Sequence, residues 1–105
     1  MKIAFAGTPE FSVHALNALH TAGHEIAAVF TQPDRPFGRG RKLRASPVAE
    51  RAAELGLPIF KPEKFDAEAR EQLAAAGVET MVVVAFGQIL PQAVLDTPTH
   101  GCLNI

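Results

Sequence analysis

Lys2-Ile3-Ala4-Phe5-Ala6-Gly7-Thr8-Pro9-Glu10-Phe11 is the stretch that decides how the whole chain is read. Residues 3–6 form an unbroken apolar run that ends at Gly7, the pattern of a strand buried on both faces. Thr8-Pro9 then reads as a helix start, with a hydroxyl at the N-cap and a proline at the first helical position. Phe11, Ala15, Ala18, Leu19 and Ala22 follow at helical spacing, and Gly23 closes the helix. A lone lysine before so short an apolar run excludes a secretory signal.

The same strand–helix unit recurs down the chain. Residues 26–31 read as a second strand. Residues 32–45 have no apolar periodicity, contain Pro33, Pro36, Gly38 and Gly40, and read as a long exposed loop of the kind that tends to carry function. Ser46-Pro47 repeats the helix-start device, and that helix runs to about Leu55 with Gly56 at its end. Residues 57–60 are a third strand, and residues 61–65 a connection containing Pro62. Asp66 caps an Ala/Glu-rich helix that ends at Gly77. Residues 80–86 are the most hydrophobic segment and read as a central parallel strand. Pro91 opens a short helix ending near residues 96–98, and residues 102–105 begin a fifth strand.

Strands alternating with helices predict an α/β fold: a Rossmann-like, doubly wound open parallel sheet with helices on both faces, right-handed crossovers and strand order 3-2-1-4-5. In such a sheet the ligand crevice lies beyond the carboxyl ends of strands one and four, where the winding reverses. Residues 7–11, residues 86–91 and Asn104 should therefore meet.

Composition agrees with one small core. The chain has 105 residues, 48% hydrophobic and 20% charged, which suits a globular domain and excludes long disorder. The longest apolar stretch, residues 81–86, is far too short to span a bilayer, so no membrane association is expected. A single cysteine, Cys102, excludes an internal disulfide and fits a reducing cytoplasm; it reads as a small core residue. His14, His20, His24 and His100 have no zinc-ligand spacing, so no metal is expected.

The first turn is no dinucleotide fingerprint. Its second and third glycine positions hold Pro9 and Ser12, and Thr31-Gln32 offers no ribose-binding acid. Charge is more informative. The chain carries −1, yet residues 32–46 hold Arg35, Arg39, Arg41, Lys42 and Arg44 against one acid, Asp34. Arginines dominate, which suits forked phosphate recognition, and Gly38 and Gly40 around Arg39 let the backbone approach a partner. Phe37 is the segment's one aromatic, so base stacking is not expected as its main mode. The segment is either a solvated surface loop or a contact with a nucleic-acid backbone through Arg35, Gly38, Arg39, Gly40, Arg41, Lys42 and Arg44.

Phe86-Gly87-Gln88-Ile89-Leu90-Pro91 leaves the central strand. A glycine there exposes backbone donors and acceptors that can read a flat heterocycle, with Phe86, Ile89 and Leu90 as an apolar wall. By pattern alone the segment is equally a strand-to-helix turn with core side chains. Asn104 stands in an otherwise apolar strand, where its amide could donate to a developing oxyanion or merely bond to backbone.

Taken together, residues 5–11, Thr31-Gln32-Pro33-Asp34-Arg35-Pro36, Gly38-Arg39-Gly40, Ser46-Pro47-Val48, residues 82–87 with Ile89-Leu90-Pro91, and Gly101-Cys102-Leu103-Asn104-Ile105 resemble the methionyl-tRNA formyltransferases, in order and across the whole chain. The Phe86 position is often Tyr in that family. The resemblance implies formyl transfer from 10-formyltetrahydrofolate, as co-substrate, to the α-amino group of methionyl initiator tRNA in translation initiation, by a monomeric cytoplasmic enzyme. It assigns a catalytic Asn to Asn104, folate contact to Phe86, Gly87, Gln88, Ile89 and Leu90, and tRNA contact to the basic segment. The family's catalytic His and Asp would fall after Ile105, so residues 1–105 resemble the N-terminal portion of the catalytic domain of a longer enzyme, inactive as this stretch alone. Two alternatives are a folate-dependent formyltransferase acting on a small amine, which needs no long basic arm, and a non-catalytic Rossmann-like binding module.

Overall fold

Along the first strand, Ile3 and Phe5 project to one side and Ala4 and Ala6 to the other, and both sides are buried. A strand dry on both faces belongs at the centre of a sheet, and that is where it lies. The computed structural model describes residues 1–40 and 42–105. Its elements are β1 (Lys2–Gly7), α1 (Glu10–Thr21), β2 (Glu25–Phe30), β3 (Arg35–Phe37), β4 (Lys42–Arg44), α2 (Pro47–Glu54), β5 (Ile59–Phe60), α3 (Ala67–Ala76), β6 (Thr80–Val84), α4 (Gln92–Leu95) and β7 (Cys102–Asn104).

The main sheet has five strands in the order β5-β2-β1-β6-β7, all parallel. Numbered by the main-sheet strands alone this is the expected 3-2-1-4-5, reversing between β1 and β6. One face packs Ile3, Phe5, Val82 and Val84 against Val13 and Leu16 of α1 and Val48 and Ala52 of α2. The other packs Ala4, Ala6, Ala28, Met81 and Val83 against Ala69 and Leu73 of α3. The alanines leave room on that second face for large rings. Phe30 stacks on Phe60 at 5.2 Å and meets Phe65 at 4.9 Å, and Phe65 meets Phe86 edge-on at 6.0 Å. Aromatic bulk opposite small strand residues keeps the layer filled.

Capping follows the sequence at two of the helices. Ser46 Oγ accepts from Ala49 N at 3.0 Å, with Pro47 opening α2, and Asp66 Oδ1 accepts from Ala69 N at 3.2 Å. At α1 the expectation fails. The helix begins at Glu10, Pro9 occupies the N-cap position, and Thr8 makes no cap. Its hydroxyl donates instead to Phe86 O at 2.8 Å. That carbonyl lies past the end of β6 and needs a donor, whereas the start of α1 is exposed and solvent can serve its first N–H groups.

A second correction concerns residues 32–45. They are not a structureless loop: β3 and β4 form an antiparallel pair separate from the main sheet. Each strand is three residues long and exposed throughout, and Pro36 removes one ladder donor. No buried face marks such a pair in the sequence. Its base is tied, however, by a buried hydrogen bond between the Thr31 and Ser46 hydroxyls.

Gly7 ends β1 in a place that has no room for a side chain. A Cβ there would lie 2.8 Å from Val84 O and 2.9 Å from both the Phe5 ring and Ser12 Cβ. Gly7→Ala should therefore lower stability by about 1–3 kcal/mol, read as a fall in the denaturant midpoint with an unchanged slope.

Candidate functional site

The reversal between β1 and β6 gathers three loop starts, and polar side chains knit them together. Thr8 Oγ1 donates to Phe86 O and accepts from Gln32 N at 3.4 Å. Gln32 is 8% exposed at the end of β2; its Nε2 donates to Gly87 O at 3.0 Å. Gln88 Nε2 donates in turn to Gln32 Oε1 at 2.9 Å and to Pro62 O at 2.8 Å. Ser12 Oγ donates to Val84 O from below. The loop turns through Ala85 at φ 53° and Gly87 at φ +89°. A Cβ at Gly87 would lie 2.9 Å from Gln32 Nε2, so glycine serves both the turn and the close approach.

Beyond this knot lies a cavity of about 440 Å³ lined by Val83, Gln88, Ile89, Leu90, Leu95 and Asn104. Asn104 reaches it from β7, where it stands opposite Val83 of β6. Gln88 Oε1 is buried and has no hydrogen-bond partner among the described residues. Cys102 also lines the cavity; its Sγ lies 3.7 Å from Leu95 O. Burial pushes the Cys102 thiol above its ordinary pKa, a Met81 backbone hydrogen bond opposes the shift, and the Asp96 charge adds to it.

The structure thus brings Gln88, Ile89, Leu90 and Asn104 to one cavity. Phe86 is placed differently: its ring is 2% exposed in the core, and only its carbonyl joins the knot. Gly87 contributes its carbonyl to Gln32. Among the described residues no group of three or more His, Cys, Asp or Glu is placed to hold a metal ion, and no helix is long and apolar enough to cross a membrane.

The basic segment stands beside this crevice as the β3–β4 hairpin. Gly38, Arg39 and Gly40 form its exposed turn, and Lys42 and Arg35 are exposed on its strands. Arg41 lies outside the described residues. Asp34, the segment's one acid, is paired with Lys61 at 2.7 Å, so it does little to offset the arginines. Arg44 lies over the Phe37 ring at 4.6 Å, and its Nε is 3.4 Å from Glu50 Oε1 on α2. Between hairpin and helices is a second cavity of about 340 Å³, whose walls include Thr8, Glu10, Phe37, Arg44, Pro47 and Glu50.

Two residues of the knot have roles that their own sequence neighbourhood does not show. In the sequence Gln32 marks the absence of a ribose-binding acid and forms part of a family segment, yet a buried glutamine following an otherwise apolar strand has to find polar partners at the crevice. Thr8 looked like a cap because its bridging partner is 78 residues away.

The fold is a doubly wound α/β domain with a cavity flanking its reversal point, and the sequence matches the formyl transferase family over residues 1–105. The chain belongs to that family. It is 57% identical to a methionyl-tRNA formyltransferase of Acinetobacter baumannii and 58% identical to that of Ruegeria pomeroyi, in each case over the whole of this chain and 35% of the relative. The chain therefore spans about a third of the length of these curated relatives.

Gln32→Ala would strip Gly87 O of its donor and Gln88 Nε2 of an acceptor. Stability should fall by about 1–3 kcal/mol, and amide exchange in residues 87–90 should quicken while β1 and β6 stay protected. Hydrogen-exchange mass spectrometry reads both.

Proposed function

We propose that the protein transfers a formyl group from 10-formyltetrahydrofolate to the α-amino group of methionyl initiator tRNA. The observation that carries this reading is the convergence of Asn104 and the 88–90 turn on one cavity, beside a cationic hairpin, in a formyl transferase chain. The names of the relatives support the same substrate. In this reading residues 1–105 are the N-terminal part of the catalytic domain, and a His and an Asp from later in the sequence complete the catalytic set.

The folate's pterin would lie against Ile89 and Leu90, beside Gln88. An aminoacyl α-amino group is partly neutral near pH 7 and attacks the formyl carbon with its lone pair. The carbonyl π pair moves to oxygen, and the tetrahedral intermediate carries its negative charge there. The Asn104 amide, aimed from the end of β7, donates to that oxyanion. Collapse re-forms the carbonyl and expels the folate nitrogen, which takes the proton that the amine gives up. Meanwhile Arg35, Arg39, Arg41, Lys42 and Arg44, with Gly38 and Gly40 allowing close approach, hold the acceptor stem by phosphate and shape, as helical RNA requires.

Two variants of the full-length protein test the reading. Asn104→Asp keeps the shape, removes the donor and adds a repelling charge; turnover should fall by about 10²–10³, with substrate KM changed much less because the contact strengthens only as charge develops. Formylation of methionyl-tRNA at near wild-type rate by that variant would remove Asn104 from the chemistry. Arg39→Ala should raise KM for the tRNA severalfold and leave folate binding unchanged, whereas Lys42→Ala should cost less and make the salt dependence shallower. Steady-state kinetics over a range of salt concentrations separates the two.

A further inference from the structure

The hairpin has two chemically different faces. In its register Arg35 opposes Arg44 and Phe37 opposes Lys42, while Pro36 opposes Leu43. Opposed residues share a face, and so do residues two apart, so Arg35, Phe37, Lys42 and Arg44 lie on one side. That side has an aromatic ring among three cations. Phe37 is 63% exposed even though the Arg44 guanidinium covers part of it at 4.6 Å. Arg44 Nε donates to Glu50 Oε1 at 3.4 Å while its guanidinium lies over the ring. This stacked pair of ring and guanidinium forms part of one wall of the 340 Å³ cavity.

The other walls say what belongs there. Arg35 and Arg44 line the cavity along with the Glu10 and Glu50 carboxylates, so its charges balance and give no net attraction for a phosphate, while Thr8 and Pro47 bring it a hydroxyl and an apolar ring. A heterocyclic base fits this mixture: its faces stack, and its edge offers N–H groups to carboxylates. The cations outside the cavity, Arg39 at the turn and Lys42 on β4, are left for the strand's phosphates.

We propose that Phe37 and Arg44 form a stacking platform for a single unpaired base of the bound RNA, held in the cavity between the hairpin and the α1–α2 side of the sheet. This rests on the RNA reading above and adds to it a site for a base beside the phosphate contacts. It also revises the expectation that the arm works by backbone contact with little stacking.

The test compares two RNA hairpins of the same stem, one blunt and one with a single-stranded 3′ extension, titrated against the protein by fluorescence anisotropy. The wild type should bind the extended RNA more tightly. Phe37→Ala should weaken the extended RNA by about tenfold and leave the blunt one unchanged, and Phe37→Trp should retain the preference. Because Phe37 is exposed and outside the main sheet, the variant should melt with the wild type. Equal losses on both RNAs, or no loss on either while Arg39→Ala still weakens binding, would overturn the platform and leave the RNA reading standing. Failure of the wild type to bind either RNA would overturn both.

Discussion

The structure depends on how closely the turn after β1 is allowed to approach the end of β6. Gly7 presents no side chain to Val84 O, and the next residue, Thr8, puts its hydroxyl on Phe86 O. Those contacts join the first βα unit to the last one across 78 residues of sequence. They set the distance between the two halves of the doubly wound sheet at its reversal point, which is where such sheets bind ligands. Gln32 and Gln88 then extend the same network to β2 and to the connection after β5. The turn that brings residues 88–90 to the cavity is thereby tied to one small polar cluster, whose hydrogen bonds rigidify in low-dielectric surroundings.

Core and site make opposite demands on residues 85–90. Phe86 is committed to the aromatic layer with Phe65, while Gln88, Ile89 and Leu90 line the cavity. A single turn therefore serves as both anchor and wall. The left-handed conformations at Ala85 and Gly87 make this possible, because an extended chain would send alternate residues to opposite sides of the sheet instead. The buried ring fixes the turn, and the turn fixes where the exposed Ile89 is presented.

Much of the architecture was legible because strands buried on both faces announce themselves as apolar runs. Residues 3–6 and 81–84 did so, and the glycines and capping residues between them marked the helices. The hairpin was not legible: its strands bury nothing, so their alternation carries no hydrophobic signal. Thr8 misled for a different reason. A hydroxyl before a proline fits a local cap, and only the fold brings Phe86 O into range to compete for it. At the cavity, Asn104 and residues 88–90 were legible as polar or turn-forming interruptions of apolar strands, whereas Gln32 owes its place to partners on other loops.

The hydrogen bond between the Thr31 and Ser46 hydroxyls has a bearing on how this arm can change over time. Both residues are buried, and Ser46 is also the cap of α2, so the two ends of the arm are pinned by the core itself. The entropy of closing the arm is then a property of its base and rises only slowly with its length, by about 0.6 kcal/mol per doubling. Insertions and deletions at the Gly38–Gly40 tip would leave the sheet nearly untouched. The protein thus carries a segment whose length and sequence can drift while the sheet beneath it is held constant.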